Sequence, residues 1–125
     1  MKKLLIFILI LNFPLISFAD NKWKWVHAHN NGGVWWVHQG DAVVTFDKNT
    51  FYAKLYITEK NHTYLARTIK GKLQERYKVS AILDFKDTDI NGLELNGSYD
   101  QRSEDYTPWT ITMLSDFELV GLTRK

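Results

Sequence analysis

From residue 20 onward, apolar and polar side chains alternate almost one for one, and no segment carries an apolar stripe at helical spacing. Phe51, Ala53, Leu55 and Ile57 alternate with Tyr52, Lys54, Tyr56 and Thr58. Leu65, Arg67, Ile69, Gly71 and Leu73 fall in one phase, with Thr68, Lys70 and Lys72 in the other. The same pattern sets Val79, Ala81, Leu83 and Phe85 against Lys78, Ser80, Asp84 and Lys86, and Leu93, Leu95, Gly97 and Tyr99 against Glu94, Asn96, Ser98 and Asp100. Side chains on a strand point alternately to opposite faces, so these are half-buried antiparallel strands with one face on a core. Further strands are predicted at Trp23 to Ala28, Val34 to His38, Ala42 to Phe46, Trp109 to Leu114 and Glu118 to Thr123.

The segments between these runs are short and polar: Asn30-Asn31-Gly32-Gly33, Asp47 to Thr50, Lys60-Asn61-His62, Gln74-Glu75-Arg76 and Asp87 to Gly92. They leave no room for helical crossovers, so successive strands join as hairpins. The predicted fold is all-β: one antiparallel up-and-down meander of about eight strands, closed as a small β-barrel because closure leaves no unpaired edge. A β-sandwich is the alternative. Gly71, Gly97 and Gly121 sit inside strand patterns, where glycine marks a bend or a close backbone approach.

The first nineteen residues break the pattern. Lys2 and Lys3 precede an apolar run that ends at Ser17-Phe18-Ala19, the arrangement of a cleavable signal peptide. A spanning helix needs about 20 apolar residues; the run from Leu4 to Phe18 is shorter and contains Asn12 and Pro14. The expected organisation is a leader over 1–19 and a single barrel domain over 20–125, periplasmic or secreted, with no integral membrane segment after cleavage. The chain has no cysteine, which excludes a lipoprotein anchor, disulfides and a thiolate site. Of the sixteen Lys and Arg residues, Lys2 and Lys3 belong to the leader, so its removal leaves the basic side chains equal in number to the fourteen acidic ones. A balanced chain has no field to draw it onto nucleic acid.

Candidate chemistry concentrates in one hairpin, Trp23 to His38, which holds four of the five tryptophans and three of the four histidines. A two-residue type I′ turn at Asn31-Gly32 would pair Asn30 with Gly33 and His29 with Val34. Trp23, Trp25, His27, His29, Val34, Trp36 and His38 then share one face. Lys22 and Lys24 lie on the other, and lysine is rarely buried, so the aromatic face points inward. It either fills one end of the core or lines a pocket, since pockets combine apolar walls with a few polar groups. Arg67 points the same way and needs an internal carboxylate, an anionic ligand group or a route to water. His27, His29 and His38 also suit zinc or copper, though no fourth ligand stands out.

Other motifs are weaker. Asp87-Thr88-Asp89-Ile90-Asn91-Gly92 matches half of a calcium loop, but its twelfth position is Ser98 rather than a bidentate glutamate, and a plain turn is expected. There is no G-x-S-x-G, no H-E-x-x-H and no phosphate-cradling loop, so no catalytic residue or cofactor is assigned.

Gly33-Val34-Trp35 is a G-x-W triplet within a strand meander that ends near Arg124. In these features the chain resembles the calycins, the lipocalin and avidin group of small ligand-binding barrels. The resemblance implies a ligand-binding barrel and gives Trp35 a structural place across its base. The chain departs from that group in having a strand before the triplet and no helical pattern after Arg124. The leading functional expectation is an exported, non-enzymatic protein holding a small, partly apolar or aromatic ligand among Trp25, His27, Trp36, His38 and Arg67. One alternative is a periplasmic protein-binding module, an enzyme inhibitor or toxin-immunity protein, anchored by Tyr52, Tyr56 and Tyr64 or by the loop Arg102 to Tyr106. The third is metal binding through His27, His29 and His38.

Overall fold

The alternating pattern resolves into strands whose inward positions form one continuous interior. The computed structural model describes residues 22–85 and 92–125. The leader and all of the calcium-like loop except Gly92 lie outside these residues. Eight antiparallel strands follow one another in chain order: β1 (Lys22–Asn31), β2 (Val34–Asp47), β3 (Thr50–Glu59), β4 (His62–Gln74), β5 (Lys78–Phe85), β6 (Leu93–Tyr99), β7 (Thr110–Leu114) and β8 (Glu118–Arg124). Each pairs with the next, and β8 returns to pair with β1, so the sheet is a closed barrel rather than a sandwich. Among the described residues, no helix is long and apolar enough to cross a membrane.

The interior is filled by side chains. Trp23, Trp25, Leu55, Ile69, Leu83 and Ile111 have no exposed surface and pack together with the other inward residues. Burying such side chains supplies roughly 1.5–3 kcal/mol each, the main force holding a barrel that has no disulfide. Gly71 and Gly97 are needed for close approach. A Cβ on Gly71 would collide with the ring of Phe51, its partner across the β3–β4 pair. A Cβ on Gly97 would collide with the backbone of Thr112. Gly121, by contrast, faces open space.

Four sequence expectations are corrected. The β1–β2 turn is Gly32-Gly33, both at positive φ, and Asn31 pairs with Val34, not Asn30 with Gly33. Two glycines accept that turn with no Cβ strain, and the Gly33 N–H donates to Asn30 Oδ1 at 2.9 Å. The slip is two residues, so every side chain keeps its predicted face.

The runs Val34 to His38 and Ala42 to Phe46 are one strand, not two. Gly40 continues it because the missing side chain leaves room for the Trp25 indole and the Tyr56 carbonyl, with which a Cβ would clash. In β4 the register shifts, so that Leu55 opposes Arg67 while Tyr56 opposes Leu65. This bulge puts Leu65 on the Tyr56 face and Tyr64 on the inner face with Ile57, reversing the predicted phase on that side of Arg67. Lastly, Trp35 is 57% exposed on the outer face, so it does not span the base; of the two buried tryptophans of β1, Trp23, opposite Arg124, is the one at that end.

The two ends of the barrel differ. At the base lie Trp23, Phe46 and Phe51, with ring centroids about 6 Å apart, and the loop from Asp100 to Trp109. At the mouth the strands part company. β2 pairs with β3 only from Ala42 onward, and β4 pairs with β5 only from Arg67 onward. The β1–β2 and β3–β4 hairpins therefore continue as separate arms.

Candidate functional site

The site forms where the arms leave the barrel wall, and closure of the sheet assembles it. His27 and His29 occupy successive inward positions at the end of β1. On one side β2 sets His38 directly across from His27; on the other, β8 sets Glu118 directly across from His29. A ring nitrogen from each of His27 and His29 and a carboxylate oxygen of Glu118 lie within 4.8 Å of one another. His27 Nε2 is paired with Glu118 Oε2, joining residues 91 apart in the chain. His38 stacks on His29, ring centroids 6.0 Å apart and planes 18° from parallel.

Burial sets the protonation of this cluster. His27 is 1% exposed. Loss of hydration holds its imidazole below the usual histidine range, reinforced by the nearby Arg67 charge, although the bond to Glu118 pulls the other way. With Nε2 donating to the carboxylate, Nδ1 is left as a buried acceptor, and among the described residues it has no hydrogen-bond partner. Such an orphan is costly and marks a site of function or strain.

Arg67 closes the floor. Its guanidinium lies 5.4 Å from the Trp25 ring centroid and 5.0 Å from that of Phe85, where the ring faces offer a cation partial compensation for lost water. Nε and Nη1 are buried with no hydrogen-bond partner among the described residues, and burial lowers the pKa, with the Glu118 charge opposing that shift. Trp25 itself is committed to structure. Its indole Nε1 donates to the Tyr56 carbonyl at 2.9 Å, bridging the place where β2 and β3 separate.

The mouth therefore brings together Trp25, His27, His38 and Arg67 of the sequence-derived pocket. Trp36 shares their face, opposite His29, but is 53% exposed on the β1–β2 arm. Of the three metal candidates, His27 and His29 converge and His38 stands beside them. Glu118 was missed. Its signal was its phase: it lies two residues before Val120 and four before Leu122, both buried, so its carboxylate had to point inward. Access exists on that side. β6 pairs with β7 only from Asn96 to Tyr99, leaving an open hollow of 740 Å³ bordered by Leu93, Leu114, Phe117 and Glu118. A hollow of 780 Å³ lies elsewhere, over β2 to β6, with Tyr52, Lys70 and Glu94 among its lining residues.

No protein-family model, curated protein or solved structure matches this chain.

Proposed function

We propose that the protein is an exported, non-enzymatic binding barrel whose mouth takes a divalent transition-metal ion on His27, His29 and Glu118. The observation that carries this reading is the convergence of two imidazoles and one carboxylate from strands at opposite ends of the chain. Two nitrogens and an anionic oxygen suit zinc, copper(II), nickel or cobalt rather than calcium or magnesium, which prefer all-oxygen shells. An ion would replace the proton that His27 Nε2 shares with Glu118. His38, stacked on His29, is the residue placed to complete or shield the open side. Arg67 opposes a second positive charge, and Glu118 offsets it.

The test is elemental analysis followed by titration of chelator-stripped protein with zinc and with copper(II). One ion per chain is expected, and His29→Ala or Glu118→Gln should weaken binding by well over about tenfold, the lower range for losing even an outer-shell partner. Stripped protein that takes up no stoichiometric ion would end this reading.

A second reading retains the small, partly apolar or aromatic ligand of a calycin-like barrel. Arg67 favours it, because its two orphaned nitrogens and flanking rings could receive an anionic, planar group. The two readings part at one substitution. Arg67→Met should tighten an ion but abolish an anionic ligand.

A further inference from the structure

Strand β2 pairs with β3 along Ala42 to Asp47 and with β1 along Val34 to Val43, so along Val34 to Asp41 only β1 is hydrogen-bonded to it. The opposite edge of that arm meets no strand among the described residues. Exposed edges in monomers are commonly blunted by lysine, proline or a bulge. From Val34 to Gly40 there is no lysine or proline, and the pairing with β1 runs without a register shift. No Asp, Glu, Lys or Arg occurs from Val26 to Gly40, in a chain that is 24% charged.

The arm is also apolar on both faces. Trp35 and Val37 point outward, Val34 and Trp36 inward, and each is more than half exposed. The outward side does not stop at the arm. One cross-strand row runs Val37, Ala28, Leu119, Leu114 over β2, β1, β8 and β7, with Leu114 48% exposed at its far end.

We propose that this edge, Val34 to Gly40, pairs antiparallel with the same edge of a second copy of the chain about a twofold axis. Such a contact is self-complementary: residue i meets residue j and j meets i. It supplies main-chain partners to both open edges at once, in the manner of strand addition. The uncharged arm lets two identical segments meet without like-charge repulsion, whereas a charged partner would find nothing to match. Tryptophan and valine are favourable cross-strand pairs, and the segment is long enough for a full pairing, since strands average about five to six residues. Dimerisation would join the two outer rows into one band. The metal-binding reading is independent of this contact.

Sedimentation velocity on the full chain, with chelator present so that no ion can bridge two copies through His38, tests the pairing. A dimer that dissociates on dilution is expected. Val37→Lys or Trp35→Lys, each placing charge on an exposed outward position of the arm, should raise the dissociation constant by about tenfold or more, equivalent to about 1.4 kcal/mol. Hydrogen exchange on the unaltered protein gives a check that needs no variant: amides in 34–40 should gain protection as concentration rises. A monomer at every concentration overturns the proposal, including one that instead floats with phosphatidylcholine vesicles. A dimer indifferent to both lysine variants, or exchange in 34–40 indifferent to concentration, overturns it as well.

Discussion

At the base of the barrel almost every polar group has an answer; at the mouth several have none. The base loop is latched by Arg124, which pairs with Asp105, donates to Ser103 Oγ at 2.9 Å and lies 5.1 Å from the Trp109 ring centroid. Asp100 Oδ1 accepts the backbone N–H groups of Trp109 and Thr110 at 2.6 and 3.0 Å, and Tyr99 donates to the Gln74 carbonyl at 3.1 Å. Trp23 Nε1 is the exception, buried with no partner. At the mouth, His27 Nδ1 and two nitrogens of Arg67 are buried and unanswered among the described residues, hydrophobic side chains face water, and the β2 side of one hairpin and the tip of the β3–β4 hairpin lack a paired strand there. One end is latched by internal pairs, and the other carries buried polar atoms with no partner among the described residues. Unsatisfied polar atoms are expected where binding has been favoured over stability.

Substituting one tryptophan at each end tests this contrast most strongly. Trp23→Ala should lower stability to denaturant by about 4 kcal/mol, the usual scale for emptying a large aromatic site. Trp36→Ala, on the exposed arm, should change it by no more than about 0.5 kcal/mol. Equal losses would mean that the arm is part of the folding core.

Gly40→Ala should come next, at about 2 kcal/mol, because a Cβ there collides with the Tyr56 carbonyl and the Trp25 indole at the point where mouth and wall meet. Chemical denaturation monitored by tryptophan fluorescence would measure it. A neutral result would place the arms apart from the wall's stability.

Smaller in energy, Arg67→Met should tighten zinc or copper(II) severalfold in calorimetric titration, since it removes a positive charge near the ion. Weaker binding would show that Arg67 holds the site together rather than opposing its ion.

The smallest effect is at the base and appears only in acid. The Ser103 hydroxyl, helped by Thr107 and Arg124, holds the Asp105 carboxyl well below its ordinary value of 3.8. The native state thus resists protonation more than the unfolded chain does. The resulting stability is fully present above that value and fades as the pH falls below it. Asp105 is largely exposed and solvent-screened, so Asp105→Asn should flatten only the acid limb of a stability profile, and an unchanged limb would deny the latch its role.

Much of the barrel was legible because period-two alternation is local. Lys22 and Lys24 alone sufficed to turn Trp23, Trp25 and His27 inward. The turn was less legible, since Asn31-Gly32 and Gly32-Gly33 both provide two residues suited to positive φ. The choice between them leaves side-chain faces untouched, which is why the aromatic face was read correctly from the wrong register. Gly40 resembled a break because its purpose, making room for a tryptophan from the neighbouring strand, is tertiary. The bulge beside Arg67 leaves no periodic trace. Glu118 was hardest to assign a role: its inward phase was readable, but its neighbours depend on which strand closes against β1.

That closure bears on when the site can exist. His27 lies in the first strand and Glu118 in the last, so no partly folded chain lacking β8 can place them together. Contacts between such distant segments form late and slow the folding of β-proteins. During synthesis the residues that surround His27 are complete only after β8 has emerged. Occupancy of the mouth would then report that folding has finished, and any ion or ligand bound there would preferentially stabilise the closed barrel over every open intermediate.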